Sequence, residues 1–350
     1  MIYINGRFLT QKITGVQRFA FELSSRLSQI RKDVVFLVPD LSLINPEYST
    51  HSMKIIEVKG GGGHYWEQIT LPQFLKKNGK PLIISLCNTG PAFYRNHIAT
   101  SHDITYVRYP NGFPKKFRYF YRVITPLIIK NAQAILTVSN FSKEEISSHY
   151  NCNKNKINVI YNAVNSSFKK NYSNSTVAES YFLAVSSVNF HKNLHGLVNA
   201  FSESDLDVKL KIIGGTTKFF SDVDINVDDP RISFLGRVDD EALIQLYQNA
   251  QAFIFPSLYE GFGIPPLEAQ SCGCPVLSSD RASMREVLAS SALYFNPDSK
   301  KEIIDSMNLI YSNDALRESL INKGIENVAR FSWAESANKL NLLVDRIANE

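Results

Sequence analysis

Cysteine is scarce in this chain, with four in 350 residues. Cys87 and Cys152 stand alone, and Cys272-Gly273-Cys274 is one residue tighter than the usual C-x-x-C clip. A disulfide framework is therefore excluded, and reduced, mostly buried thiols are expected. Long apolar runs are missing too. No stretch approaches the roughly 20 uninterrupted apolar residues that span a bilayer, and the opening MIYINGRF has no basic region followed by an apolar core. The expected location is the cytoplasm. Nor does one sign of charge dominate. The formal net charge is +5 and the hydrophobic fraction 44%, which excludes a disordered chain and a nucleic-acid-binding tail. So small a surplus favours anionic partners, such as nucleotide phosphates or acidic lipid headgroups, and excludes nothing.

What is present is a repeated grammar. Single hydrophobic cores stop growing below this length, so two domains are expected. Short β-rich apolar runs recur at 2–4, 34–39, 81–86, 134–139 and 157–162. Each is nearly continuous in apolar residues, as a strand covered on both faces requires. Between them lie helix-period segments such as Val16, Phe19, Leu23 and Leu27, and Ser142 with Glu145 reads as a capping box opening another helix. After a polar stretch at 166–180, which reads as an interdomain linker, the pattern restarts at 181–187, 210–215, 232–236, 252–257, 275–279 and 293–295. The predicted fold class is α/β, with two doubly wound parallel-sheet, Rossmann-like domains facing a cleft. The expected boundaries are 1–165, 166–180 and 181–335, followed by a C-terminal helix at 336–350 that could pack back toward the first domain. Ligand residues should sit in loops that follow strands.

Two motifs invite a phosphate or metal reading. The glycine run Gly60–Gly63 lacks a G-K-[ST] ending and does not connect an obvious strand to a helix in the required frame, so a mobile loop is expected. Asp205-Leu206-Asp207 and Asp222-Val223-Asp224 have the spacing of a divalent-metal pair, but no buried strand leads into either. Both read as solvated loops, and no metal or cofactor is expected.

The densest information lies at 256–276. A buried strand ending at Pro256 is followed by Ser257-Leu258-Tyr259-Glu260-Gly261-Phe262-Gly263-Ile264-Pro265-Pro266-Leu267-Glu268, then Gly273-Cys274-Pro275-Val276. A helix should start near Pro265, where proline is tolerated in the first turn. Gly261 and Gly263 let backbone N–H groups approach a ligand, and the helix N-terminus favours negative charge. Such a loop suits a sugar phosphate. Glu260 before the helix and Glu268 inside it can reach different hydroxyl-bearing parts of one ligand. Lys192 follows the strand at 181–187 and precedes Leu194, Leu197, Val198 and Phe201, which puts its ammonium at a strand's carboxyl end, where a diphosphate leaving group needs positive charge.

This passage resembles the E-x7-E signature of the retaining glycosyltransferases of family 4, which have the GT-B architecture. The resemblance extends to Ile13-Thr14-Gly15-Val16-Gln17-Arg18, Trp66-Glu67-Gln68, His102-Asp103, Val138-Ser139-Asn140-Phe141-Ser142, Asn162-Ala163-Val164-Asn165, His191-Lys192-Asn193 and Phe234-Leu235-Gly236-Arg237-Val238. It implies that Glu260 meets the donor sugar hydroxyls or lies beside the reacting centre, and that Glu268 holds the nucleotide ribose. It implies that Gly261, Phe262, Gly263 and Ile264 line the donor site and that Gly15 lets backbone approach the donor phosphates. It implies too that His102 contacts the transferred sugar, with Asp103 either orienting the histidine or approaching the acceptor hydroxyl. Many relatives carry a second phosphate-binding cation where this chain has Ser186, Ser187 and Val188. Arg237 or His191 could compensate, although Arg237 could equally be a structural residue.

The resemblance implies a metal-independent hexosyltransferase that takes a nucleotide-diphosphate sugar, GDP-mannose favoured and UDP- or dTDP-sugars open. The acceptor would be a saccharide or lipid-linked saccharide, a cell-surface polysaccharide precursor. The alternatives are a nucleotide-sugar epimerase of the same architecture and a non-catalytic carbohydrate-binding relative. Lys115-Lys116-Phe117-Arg118-Tyr119-Phe120-Tyr121-Arg122 interleaves cations with aromatics. It reads either as an ordinary helix with snorkelling cations or as a peripheral contact with the cytoplasmic face of the inner membrane or a lipid diphosphate. A nucleic-acid partner would need a broader basic surface.

Overall fold

The computed structural model describes residues 1–170, 180–186, 189–214 and 229–348. The chain divides into two compact units, one of Met1–Asn162 with Ser332–Glu350, the other of Ala163–Phe331. In the first, β1 (Ile2–Asn5), β2 (Val34–Val38), β3 (Ile55–Glu57), β4 (Leu82–Ser85), β5 (His97–Thr100), β6 (Ala134–Thr137) and β7 (Ile157–Val159) form a parallel sheet in the order β3-β2-β1-β4-β5-β6-β7. Its helices are α1 (Gly15–Ile30), α2 (Gly63–Tyr65), α3 (Leu71–Lys77), α4 (Thr105–Arg108), α5 (Lys115–Asn131) and α6 (Asn140–Tyr150).

The second unit repeats the plan. Its strands β8 (Tyr181–Val185), β9 (Lys209–Ile213), β10 (Ile232–Gly236), β11 (Ala252–Phe255), β12 (Val276–Ser279) and β13 (Ala292–Phe295) pair in parallel in the order β10-β9-β8-β11-β12-β13. The helices are α7 (Leu194–Ser202), α8 (Asp240–Asn249), α9 (Ile264–Ser271), α10 (Met284–Leu288), α11 (Lys300–Ser312) and α12 (Asp314–Val328); α13 (Trp333–Ala348) belongs to the first unit. In both sheets the strand order reverses beside the first strand, between β1 and β4 and between β8 and β11. Open α/β sheets form their ligand crevice at such a reversal.

The expected pair of doubly wound sheets is present because the apolar runs behave as strands buried on both faces; all five residues of β2 are buried. Helix α1 buries Phe19, Ala20, Leu23 and Leu27 as one stripe. The stripe packs against α13, with the Phe19 ring edge-on to Trp333 at 6.1 Å. Arg31, at the end of α1, pairs with Asp345 and donates to Asn341 at 3.0 Å.

Elsewhere the structure differs from the sequence pattern. Strand β5 carries His97 and Thr100 and so shows no apolar run. Both are buried and bonded within the sheet, His97 Nε2 against Ser85 Oγ at 2.9 Å and the Thr100 hydroxyl donating to the Ser85 carbonyl at 2.8 Å, while His97 Nδ1 is buried with no hydrogen-bond partner among the described residues. Strand β3 is three half-buried residues at the sheet edge. The glycine run therefore does join a strand to a helix, since it links β3 to α2 with φ of +139° and +90° at Gly60 and Gly61. The N-cap of α6 is Ser139, whose side chain accepts from the Ser142 N–H at 3.0 Å, so Ser142 and Glu145 are not a capping box. Glu145 instead takes two hydrogen bonds from Arg108. Asp205-Leu206-Asp207 turns between α7 and β9, with Arg231 donating to the Leu206 carbonyl at 2.9 Å; Asp222-Val223-Asp224 lies outside the described residues. In the linker stretch, Phe168 is 2% exposed against Tyr247, and 171–179 lie outside the described residues.

Phe19→Ala removes a fully buried ring from the α1–α13 seam. We expect it to destabilise the first unit by about 3–5 kcal/mol, read as an earlier denaturant transition of that unit with the second unit's transition unmoved.

Candidate functional site

At the carboxyl edge of the second sheet, four consecutive strand ends contribute to one pocket. Val185 ends β8 and Ser186 follows it, Ile213 ends β9 and Gly214 follows it, Arg237 follows β10, and Phe255 ends β11; with Lys192, Glu260 and Pro265 they line a pocket of about 420 Å³. It sits at the β8/β11 reversal, where the topology leaves a crevice. Within it the Lys192 ammonium donates to Glu260 Oε1 at 2.5 Å. The two side chains are 21% and 13% exposed, so solvent screens the pair only partly.

Both partners are presented by tight local structure. A 3-10 turn, Phe190–Lys192, ends at Asn193 in the left-handed region, φ +54°. The Asn193 side chain ties that turn to the Pro297 carbonyl at 3.0 Å, and a Cβ on Gly196 would collide with Asn193 Oδ1. The Leu258 N–H donates to the His191 carbonyl at 2.7 Å, which fastens the Glu260 loop to the Lys192 turn. Three serines brace the loop from beneath. Ser257 Oγ donates to Glu260 Oε1 at 2.9 Å, Ser279 Oγ to the Ser257 carbonyl at 2.5 Å, and Ser283 Oγ to the Glu260 and Phe262 carbonyls at 3.0 and 3.1 Å. All three serines are buried. Single serines carry no pattern in a sequence, so this layer was missed; the pairs SS at 278–279 and AS at 282–283 after an apolar strand were its only trace.

Helix α9 begins at Ile264 with proline in its first turn. Gly263 precedes it at φ +90°, and a Cβ there would meet Met284 Cε at 2.5 Å, so only glycine fits. Gly261 and Phe262 are buried in the same loop. Glu268 lies one turn into α9, half-buried, and is not among the side chains that line the pocket with Glu260. It faces the Tyr247 hydroxyl and Cys272. Burial and then the Glu268 carboxylate raise the Tyr247 phenol well above its usual value, and the same two causes push the Cys272 thiol up to about 12. Of the two cations expected to compensate for the missing one, exposed Arg237 lines the pocket with no ion-pair partner among the described residues. His191 is 4% exposed.

The remaining predicted residues belong to the first unit. Gly15 is the first residue of α1, exposed, with nothing within 4 Å of the place a Cβ would occupy. His102 follows β5. Its Nε2 faces the Leu86 carbonyl at 3.1 Å, its N–H donates to Asn88 Oδ1 at 2.8 Å, and its ring stands edge-on to Phe19 at 4.7 Å. Burial lowers its pKa to about 4, so the imidazole is neutral near pH 7. Asp103 Oδ1 accepts from the Thr105 N–H at 2.9 Å and so opens α4.

The carboxyl edge of this sheet also holds a cluster the sequence marked only as Trp66-Glu67-Gln68. Glu67 lies in a π-helical turn with its side chain 1% exposed. Asn5 Nδ2 donates to Oε1 at 2.7 Å, Arg7 Nε is 3.5 Å from Oε1, and His64 Nδ1 is 3.3 Å from Oε2. Burial raises the carboxyl, but His64, Arg7, Thr89 and Asn5 together outweigh it and hold the group below its usual value. No cluster of potential metal ligands occurs among the described residues, and no described helix is long and apolar enough to cross a membrane.

Comparison with known proteins places these features in a wider set. The family model described as "Glycosyl transferases group 1" matches residues 166–327, and that described as "Glycosyltransferase Family 4" matches residues 13–168. The chain is 36% identical over 242 residues to the O-antigen chain mannosyltransferase RfbU of Salmonella typhimurium, covering 68% of this chain and 66% of that protein. It is 30% identical over 267 residues to the O-antigen chain mannosyltransferase B of Escherichia coli, covering 70% of each. Among solved structures, Anabaena Alr3699/HepE in complex with UDP superposes with a TM-score of 0.76 at 15% identity, over 99% of both chains. That likeness concerns the fold, and the neighbours have the GT-B architecture.

The two buried imidazoles of the first unit have a measurable consequence. His97 and His102 have pKa values of about 3 and about 4, both lowered first by burial from 6.5. Below pH 6.5 the unfolded chain binds protons that the folded chain refuses, so stability is full above that value and is lost as pH falls toward 4. We expect His102→Gln to flatten this slope, removing on the order of 3 kcal/mol of pH dependence between pH 6.5 and 4. Denaturant midpoints measured across that range check it.

Proposed function

The chain belongs to the family 4 glycosyltransferases, and from that premise we propose that it moves a hexose of mannose type from a nucleotide-diphosphate sugar to a saccharide acceptor on a lipid-linked cell-surface polysaccharide precursor, retaining the anomeric configuration. The observation that carries this reading is the Lys192–Glu260 pair inside a pocket built by the ends of β8, β9, β10 and β11. Negative charge accumulates on the diphosphate as the glycosidic bond breaks. The Lys192 ammonium and the Arg237 guanidinium stabilise it in the transition state more than in the ground state. The N–H groups of the Gly261–Ile264 loop and the start of α9 add to the same potential.

Glu260 takes the sugar hydroxyls, and its braced position fixes the anomeric carbon relative to the cations. Glu268, further along α9, takes the ribose. The departing diphosphate receives the acceptor proton, and no metal is required because the cations and backbone dipoles supply the positive potential. Gly15, His102 and Asp103 are assigned to the donor phosphates, the transferred sugar and the acceptor on resemblance alone. A neutral His102 acts there as a hydrogen-bonding group, not as an acid. The names of the two O-antigen mannosyltransferases support mannose and a polysaccharide precursor.

Turnover of GDP-mannose with a lipid-linked oligosaccharide acceptor tests the reading. Lys192→Ala is expected to lower kcat by about 10²–10³ and to weaken nucleoside diphosphate binding. Glu260→Gln should lower kcat by a comparable factor while changing that binding by less than about threefold, and Glu268→Ala should do the reverse. Normal turnover in all three variants sinks the site assignment. Loss of activity in chelator, with recovery in Mn²⁺, sinks the metal-free mechanism, and epimerised donor formed without acceptor sinks transfer itself.

A further inference from the structure

The first unit holds a pocket of about 790 Å³, nearly twice the volume of the 420 Å³ pocket around Lys192. Its walls come from α4, α5 and the end of α6. Lys115, Arg118 and Arg122 of α5 face it, opposite Tyr106, His149 and Tyr150. The three cations fall at i, i+3 and i+7, which places them along one helix face. No carboxylate lines the pocket, and none of the three has an ion-pair partner among the described residues. The neighbouring acids are already engaged: Glu145 is held by Arg108 through two hydrogen bonds, Glu144 pairs with Lys154, and Asp103 accepts from the Thr105 N–H.

This charge arrangement works against the helix that bears it. The first turn of α5 contains no acidic residue and begins Lys115-Lys116, so cations crowd the positive end of the macrodipole and repel one another along the face. A bound anion relieves both penalties. Arginine forks suit phosphoryl oxygens, which they grip in pairs. Lys115 and Arg122 are about 10 Å apart along the axis, a span suited to two linked phosphoryl groups. The pocket is also far larger than a free phosphate ion, which leaves room for what the phosphate is attached to. On α5, Tyr119, which also lines the pocket, is 74% exposed and Val123 next to it 49% exposed, an aromatic and an apolar side chain among cations, as at a membrane-facing surface. The hydroxyls of Tyr106 and Tyr150 bond to each other, and burial raises both phenols, so the opposite wall stays neutral.

We propose that this pocket binds a phosphate or diphosphate group, with Arg118 and Arg122 as its principal ligands. This deepens the reading of the acceptor as a lipid-linked precursor and rests on it, since the group to be held is the phosphoryl linkage between saccharide and lipid.

The test uses the full chain carrying Lys192→Ala, which silences the phosphate site of the second unit. Pyrophosphate binding is read by calorimetry, and flotation is read with vesicles of phosphatidylcholine alone or with one third phosphatidic acid. We expect pyrophosphate to bind, and R118Q/R122Q to weaken it at least tenfold with the circular dichroism of the helices unchanged. K76Q/K77Q, which removes the same charge from α3 in the same unit, should leave it within about twofold. Flotation confined to phosphatidic acid vesicles, lost in R118Q/R122Q and reduced by Tyr119→Ser, identifies a lipid-borne phosphate. Pyrophosphate binding with no flotation supports the phosphate site but overturns its assignment to a lipid-borne group. Equal affinity in R118Q/R122Q, equal loss in K76Q/K77Q, or no binding of either probe overturns it. A protein that binds pyrophosphate through Arg118 and Arg122 yet never turns over a nucleotide sugar separates failure of the functional reading from failure of this one.

Discussion

One ion pair organises the second unit. Lys192 and Glu260 come from loops 68 residues apart in sequence, and each is brought to the crevice by the end of a different strand, β8 and β11, on either side of the order reversal. Most of the unusual backbone nearby exists to keep them there. Asn193 accepts a left-handed conformation at a cost of order 1–3 kcal/mol because its side chain bridges to Pro297. Gly263 takes φ +90° where any side chain would collide with Met284. The backbone bond from Leu258 to His191 then makes the two loops one piece. Strain concentrated around a single charged pair is what a preorganised electrostatic site requires, since the cost of orienting its groups is met by folding and not by the ligand.

Charge is allocated differently in different parts of the molecule, and the difference is informative. Surface cations such as Lys154, Lys300 and Lys301 have carboxylate partners. Arg231, which touches Asp229 and the carbonyls at the end of α7, is saturated by structure. Arg237 in the second unit, and Lys115, Arg118 and Arg122 in the first, line pockets without an ion-pair partner of their own among the described residues; the carboxylate beside Arg237, Glu260, is taken by Lys192. A chain whose net charge is only +5 does not need unanswered cations for solubility. Leaving them in concave places raises the local potential for anions, whereas the same charges on a convex surface would be screened within about 10 Å by salt.

The legible part of this protein was its periodicity. Continuous apolar runs identified all six strands of the second sheet and five of the first. They failed where a strand buries polar side chains that bond across to its neighbour in place of apolar ones, as in β5 with His97 and Thr100 bonded to Ser85, or where the strand was a short edge, as in β3. That Gly60–Gly63 connect β3 to α2 was hidden for the same reason, because a loop cannot be seen to join a strand and a helix when the strand is invisible. Pocket-lining residues adjacent to strand ends, Lys192 and Glu260 among them, could be placed by reasoning from topology. Their supports could not. Ser257, Ser279 and Ser283 act through carbonyls and one carboxylate oxygen in three dimensions, and a serine that braces a loop has the same local sequence as one that merely ends a strand. The cap of α6 shows the same limit, since Ser139 and Ser142 are equally good capping residues by composition and only the backbone turn decides between them.

The Trp66-Glu67-Gln68 segment shows how far a motif can be explained without chemistry of its own. A lone buried carboxylate would normally take up a proton. Here Asn5, Arg7, His64 and Thr89 hold it ionised, and these four come from three stretches of the first unit: Asn5 and Arg7 from the end of β1 and the turn after it, Thr89 from the loop after β4, and His64 from α2. Trp66 donates to the Val58 carbonyl at 2.7 Å, just past β3, and Gln68 bridges the Gly90 carbonyl and the Ala92 N–H at 2.8 and 3.0 Å. Three adjacent side chains thus pin the loops after β1, β3 and β4, and the π-helical turn that presents them is the geometry that lets Trp66, Glu67 and Gln68 reach three separate loops. Replacing Glu67 by an apolar residue would strand Asn5 and Arg7 with unmet donors, a larger penalty than the net value of the bonds lost. The segment is therefore read as the fastening that keeps the loops of this crevice in register, which explains its presence without giving it a part in bond breaking.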